Sequence, residues 1–278
     1  MNIIDAIIRL VTNPITSITT TYKNKNRANN AGDALEEYVK DLFAGTFDAT
    51  PSQRTRIQSQ VFSYLGNSNN PPDAMLRGGD AIEIKKIESD SQVALNSSYP
   101  KHTLKSSNDK ISKKCREAED WEEKDIIYAI GLVKSGLLKR FCMVYGLDYC
   151  ASDECYNSLI SKIKSGVLSI PDIDFEESKE IAHINKVDPL GITYMRVRGM
   201  WGIENPWKVF NYVYEYDKDI SFDFMCIINQ EKWDSFDNRN ELIDLEKTID
   251  ELSLTDVNIK DPDNPANLVA AKLVHYSK

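Results

Sequence analysis

The opening stretch MNIIDAIIRLVTNPI places Ile3, Ile4, Ile7, Ile8 and Val11 at helical spacing, which predicts an amphipathic helix. Asp5 interrupts the apolar run and no basic segment precedes it, so the stretch reads as a helix and not as a signal peptide. The polar segment from Ser17 to Asn30 is expected to be a loop or a loosely held arm. In AGDALEEYVKDLF, Ala34, Leu35, Tyr38, Val39, Leu42 and Phe43 recur at i, i+3 and i+4, and Gly45 supplies the stop. From Val61 the period falls from 3.6 to 2. VFSYLG, DAMLR and AIEIKKI, separated by the breakers NSNNPP and GGD, therefore predict sheet.

DIIYAIGLV and RFCMVYGL are near-continuous apolar runs on either side of KSGLLK, the pattern of central strands buried on both faces and joined by a short turn. A helix is expected around Glu154 to Lys164, a loop through Pro171, and strands at ITYMRVRG and FDFMCIIN. Beyond Asn229 the chain turns acidic and helix-like through NELIDLEKTIDEL, then closes with the polar DPDNPAN and the short apolar AKLVHY. Helices and strands that mix without strict alternation predict an α+β or mixed α/β fold around one central sheet.

The 278 residues suit one large domain or two modest ones, and a 41% apolar fraction with Trp 4, Phe 9 and Tyr 13 fills a real core, which excludes disorder. A net charge of -9 excludes a uniformly basic coat but leaves room for a local cationic face. Such a face is found in residues 101–116, where Lys101, Lys105, Lys110, Lys113, Lys114 and Arg116 stand against the single acid Asp109. The five cysteines are scattered with no CxxC pair, so a disulfide framework is not expected and a reducing cytoplasm is. Cys150 and Cys155 near Asp148 lack a second cysteine pair, and His183 is isolated, which argues against zinc. No run reaches the ~20 apolar residues of a membrane span.

The chemistry concentrates in PPDAMLRGGDAIEIKK, residues 71–86, where a Pro-Asp pair is followed after nine residues by Glu-Ile-Lys. Phosphodiester hydrolysis needs hard anionic oxygens for Mg²⁺, and Asp73 and Glu83 provide them if adjacent strands bring them together. Lys85, two residues beyond Glu83, shares its strand face and can orient a water or offset charge at phosphorus, while Ile82 and Ile84 take the opposite face. A two-residue Gly78-Gly79 turn would pair Asp73 with Ile84 and separate the carboxylates. A three-residue loop of Gly78, Gly79 and Asp80 would set Asp73 against Lys85 and Met75 against Glu83, with the whole set on one face, as would a bulge.

These residues resemble the PD-(D/E)XK nuclease superfamily. GDALEEYVKDLF, VFSYLGNSNNPPDAML, EIKKIES and RVRGMWGIENPW together resemble the NgoPII-type type II restriction endonucleases over nearly the full length. The resemblance implies a nuclease core with a central mixed sheet flanked by helices, in a single domain spanning 1–278. The catalytic core would cover about 31–150, with DNA-recognition and dimer elements in about 151–278. It also implies Mg²⁺-dependent cleavage of duplex DNA at GGCC beside a protecting methyltransferase. The superfamily's metal-binding Asp falls on Asp73, its Glu on Glu83 and its Lys on Lys85, and the glutamate it often adds from the N-terminal helix falls on Glu36, four after Gly32, with Glu37 as rival. A surface pair of Glu36 with Lys40 is the plain alternative.

For DNA reading, Arg196 and Arg198 share a strand face, and each guanidinium can bind guanine O6 and N7, matching the two guanines per strand of a GGCC half-site; pairing with acids of the C-terminal region is the alternative. In ALNSSYPKHTLK, Asn96, Ser97 and Ser98 suit phosphates or base edges, and Lys101, Lys105, Lys113 and Lys114 suit phosphates as point charges, unless this is an ordinary polar loop. Trp201 and Trp207 read as core or dimer contacts. A palindrome read by identical subunits implies a homodimer. Two other functions compete: a structure-specific or repair nuclease on the same core, and a DNA-binding module with an inactive site.

Overall fold

The computed structural model describes residues 1–278 except 26, 68, 69, 177 and 179. Its N-terminal part is helical: α1 (Ile3–Thr12), α2 (Ile18–Asn24), α3 (Ala31–Ala44) and α4 (Pro51–Val61). Asn2 caps α1 in a capping box with Asp5, and Asn30 caps α3, whose C-terminus is closed by Gly45 in the left-handed conformation at φ 66°. The segment from Ser17 to Asn30, expected as a loop or a loosely held arm, instead carries α2 over Ile18–Asn24, where Ile18 and Tyr22 are fully buried. Its anchor is Asp41 of α3, itself fully buried. This carboxylate accepts from Tyr22 Oη at 3.0 Å, from Arg27 Nη1 at 2.9 Å and from Arg54 Nε at 3.1 Å.

A nine-stranded mixed sheet follows. Its members are β1 (Phe62–Tyr64), β2 (Ala74–Leu76), β3 (Ala81–Ile87), β5 (Thr103–Lys105), β6 (Glu123–Lys134), β7 (Leu137–Tyr145), β12 (Asp223–Asn229), β13 (Leu252–Lys260) and β14 (Leu268–Ser277). They lie in the order β1-β2-β3-β6-β7-β12-β14-β13, with β5 paired to β6; β3/β6 and β7/β12 are parallel and the other neighbours antiparallel. Two smaller sheets stand apart. One joins β4 (Val93–Asn96) to β11 (Trp201–Ile203), and the other orders β10 (Met195–Val197), β9 (Ala182–Ile184) and β8 (Phe175–Glu176). The remaining helices are α5 (Lys113–Arg116), α6 (Gly146–Tyr149), α7 (Asp153–Leu168), α8 (Pro206–Val209), α9 (Gln230–Asp234) and α10 (Arg239–Glu246).

The fold is thus α+β, with a central mixed sheet flanked by helices, as expected. Successive residues of β6 explain the unbroken apolar run: Ile127 and Ala129 pack with α1 and α3 on one face, while Tyr128 and Ile130 join Trp207 and Phe210 on the other. Fully burying each such isoleucine or leucine contributes about 1.5 to 3 kcal/mol. The strand β13 was not foreseen, because LSLTDVNIK is polar at most positions and only Leu252 and Ile259 are buried. Its nine-residue pairing with β14 places residues 252–277 in the same sheet as the strands of residues 62–145.

Candidate active site

Asp73, Glu83 and Lys85 come together at the β2–β3 hairpin. The register sets Ala74 opposite Ile82 and Met75 opposite Ala81, and the Leu76 amide donates to the Asp80 carbonyl at 2.9 Å. The loop is therefore three residues long, as one-face placement requires, but it consists of Arg77, Gly78 and Gly79. Neither register drawn from the sequence applies: the loop begins one residue earlier than Gly78, which shifts each partner by two, so Met75 faces Ala81 and not Glu83. Gly66 helps to seat Asp73. At φ 79° it occupies a conformation that side chains rarely adopt, and a Cβ there would lie 2.4 Å from the Asp73 carbonyl oxygen.

Lys85 Nζ lies 2.5 Å from Glu83 Oε1 and 3.8 Å from Asp73 Oδ2. Asp73 Oδ2 also accepts the Ile84 amide at 2.7 Å, which ties the carboxylate to the strand that carries the other two residues. Ile82 and Ile84 are buried on the opposite face, as the alternation requires. Glu83 Oε2 is buried with no hydrogen-bond partner. Burial, followed by the proximity of Asp73, pushes the Glu83 carboxyl up to about 7 against the opposing pull of Lys85. Burial alone would lower the Lys85 ammonium, but Glu83 and Asp73 outweigh it and hold it above its ordinary value. Lys86 points away and pairs with Glu88 at 2.5 Å.

The two helix glutamates differ in their surroundings. Glu36 pairs with Lys40 at 3.5 Å, and its carboxyl is raised first by burial and then by Asp73. Glu36 also helps to raise Lys85, so it belongs to the electrostatic field of the hairpin. Glu37 bonds Arg54 and is raised by burial among Arg54, Lys40 and Asp41, on the structural side of α3. Among the described residues no group of three or more His, Cys, Asp or Glu is disposed to hold a metal ion. Asp73 and Glu83 thus offer two carboxylates, the number by which Mg²⁺ is commonly held while it keeps waters and phosphate oxygens.

Arg196 and Arg198 share a face, and one carboxylate joins them: Arg196 Nε reaches Glu180 Oε2 at 2.8 Å, and Arg198 Nε bonds Glu180 Oε1. The acid that pairs them therefore lies ahead of β9 and not in the C-terminal region. Asn96, at φ 56°, faces Trp201 across the β4–β11 pair. Ser97, Ser98 and Arg198 line one groove of about 460 Å³ with Tyr99, Lys110 and Trp201, so the polar segment and the arginine strand meet. Tyr99, Tyr156 and Trp201 form an aromatic cluster with ring centroids 5.3 to 6.1 Å apart, which accounts for Trp201. Trp207 is in the core.

The lysines divide. Lys113 and Lys114 are exposed on α5, Lys113 pairing with Glu117 at 3.7 Å, and Lys105 pairs with Asp153 at 3.5 Å. Lys101 departs from the surface role expected of it. It is 3% exposed, and its ammonium sits 3.1 Å from the centroid of the Tyr99 ring with no hydrogen-bond partner. Burial brings it down to about 8 against the raising effect of Asp153 and Glu83. Sequence reasoning also missed Glu180, whose only signal was an acid two residues ahead of a short strand, and Tyr128, beside Glu83 on β6. The cysteines are free, and no described helix is long and apolar enough to cross a membrane.

Comparison with known proteins agrees with the geometry. No solved structure matches the chain. The model of the NgoPII restriction endonuclease family matches residues 1–260. The chain is 55% identical over 278 residues, covering 99% of each protein, to the type II restriction enzyme NgoPII of Neisseria gonorrhoeae. That likeness sets aside both the repair nuclease and the inactive binding module. The chain belongs to the NgoPII restriction endonuclease family and is a type II site-specific deoxyribonuclease.

Proposed function

We propose that the chain hydrolyses phosphodiester bonds of double-stranded DNA with Mg²⁺ on a PD-(D/E)XK core, cutting at the palindrome GGCC as a homodimer in the cytoplasm. The observation that carries this reading is the convergence of Asp73, Glu83 and Lys85 at one hairpin, with Glu83 Oε2 buried and unpartnered. That oxygen fits a cation: a buried carboxylate oxygen without a donor is costly unless an ion or water meets it. Asp73 and Glu83 would hold the metal, and Glu36 would add negative charge from α3. When bound, the ion stabilises charge on the phosphoryl oxygens and makes a water a better nucleophile.

The chain's own groups do the remainder. Lys85, held above its ordinary pKa, stays charged at neutral pH and can donate to the attacking water or to a phosphate oxygen. The Ile84 amide fixes the Asp73 carboxylate, so that little reorganisation is left for the reaction. Arg196 and Arg198 would exchange Glu180 for guanine edges, with Ser97 and Ser98 on the groove that Arg198 lines, Asn96 next to them in the chain, and Lys105, Lys113 and Lys114 on phosphates. The homodimer is supported by the apolar side chains Leu190 and Ile192, which stand exposed outside the groove. The GGCC target rests on the family resemblance alone, and the paired arginines are compatible with it.

Digestion of one plasmid of known sequence tests this. Discrete fragments with Mg²⁺, none with chelator, and ends that map to GGCC are expected. Ends at another sequence would overturn the target, and metal-independent cutting would overturn the chemistry. Light scattering of the DNA complex should give two chains per duplex.

A further inference from the structure

On the sheet face that carries Glu83, Glu83, Ser98 and Lys101 line one small cavity with Pro71, Leu95 and Tyr128. It offers about 10 Å³ to the centre of a water molecule, about the room that one water needs. Three polar atoms from these walls are buried without hydrogen-bond partners: Glu83 Oε2, Ser98 Oγ and Lys101 Nζ. Buried polar groups are ordinarily satisfied, so three orphans around one cavity, two of them oppositely charged, call for a function.

The backbone holds the arrangement. Glu83 and Tyr128 are neighbours across the parallel β3–β6 pair, and the Lys101 amide donates to Tyr128 Oη at 2.6 Å. The Tyr99 ring, also a wall of the cavity, covers the ammonium. Lys101 is thus tied to the strand next to Glu83 and shut away from any phosphate.

We propose that Lys101 is a positioning residue of the catalytic centre, whose buried ammonium, across a cavity the size of one water, orients the Glu83 carboxylate toward the cation and offsets its charge. Lys85 acts on Oε1 from the open side, and Lys101 acts on Oε2 from the buried side. Ser98 completes the ring as a neutral donor or acceptor. The inference rests on the reading of Glu83 as a metal ligand.

The test is thermal stabilisation by Ca²⁺ alone, with no DNA and no cleavage, in the full-length protein. Glu83→Gln should remove most of the stabilisation seen in the wild type; if it does not, Glu83 is no ligand and the proposed function fails together with this inference. If it does, Lys101→Met should raise the Ca²⁺ concentration for half-maximal stabilisation by about tenfold or more, as loss of an outer partner of a metal ligand does. Lys101→Arg should recover part of that loss. Lys101→Met should also lower kcat with Mg²⁺ and leave KM for DNA unchanged. In a Glu83→Gln background, Lys101→Met should have no further effect on Ca²⁺. Wild-type Ca²⁺ response in Lys101→Met, or an equal loss with and without Glu83, would overturn the inference. A change in KM alone would return Lys101 to the phosphate-binding lysines. If Lys101→Met does not fold, Lys101→Gln carries the same test.

Discussion

Lys85 and Glu83 are two residues apart on one strand and 2.5 Å apart in space, so a single β-strand carries both a carboxylate and the cation that faces it. Lys86 is the next residue along the strand, yet its charge is spent on the exposed Glu88. Lys85→Ala should therefore cut kcat by about 10²-fold or more, the scale of losing one aimed donor in an active site. Lys86→Ala should stay within about twofold. Single-turnover cleavage separates them, and a larger loss in Lys86→Ala would reverse the assignment of faces.

The buried Glu83 carboxyl, pushed up to about 7 by burial and Asp73, gives metal binding a pH dependence. A cation competes with the proton on this group, so affinity falls as pH drops below about 7, by at most about tenfold per unit for one displaced proton. The sign for folding is separate. With a folded value above the ordinary 4.5, the metal-free protein gains stability from this group as pH falls from 7 toward 4.5 and loses it as pH rises through that window. Ca²⁺ titrations at pH 6 and pH 8 check the first statement: tighter binding at pH 6 would contradict it.

Arg198→Ala should cost roughly 1 to 3 kcal/mol of cognate affinity and leave random duplex unchanged. Neutralising Lys105, Lys113 or Lys114 should weaken all sequences alike and lower the salt slope by about 0.9 per contact. Affinities for both duplexes across a salt series decide this, and equal losses for Arg198→Ala would make it a phosphate ligand.

Asp41 is fully buried and accepts from Tyr22, Arg27 and Arg54. Asp41→Ala would leave two arginines and a tyrosine without their common acceptor. Because both arginines keep some contact with water, the low end of the range for a broken buried pair applies, about 3 kcal/mol. Chemical denaturation measures it, and a loss below about 1 kcal/mol would show that the hub is not what holds α2.

Much of this fold was legible where burial imposes period. The strands β3, β6, β7 and β12 and the helices α1 and α3 follow from apolar alternation or helical spacing, since each packs against the core. β13 and α2 were hidden because their order comes from partners outside their own residues: the adjoining strand β14 for the first, Asp41 of α3 for the second. At the site, residue types and spacing pointed to Asp73, Glu83 and Lys85, but the register depended on where the loop closes, which Gly78-Gly79 alone does not fix. The two lysines Lys101 and Lys105 look alike in sequence. Only the packing of Tyr99 and Tyr128 sends one inward and leaves the other at the surface.

The account stands most directly on the hairpin that joins Asp73 to Glu83. The measurement is cleavage of one GGCC duplex with Mg²⁺ by the wild type and by Asp73→Asn, which keeps an acceptor for the Ile84 amide, with DNA binding followed in parallel in Ca²⁺. Loss of cleavage by at least about 10²-fold with DNA affinity kept or improved is the predicted result. Cleavage by Asp73→Asn at the wild-type rate would contradict it.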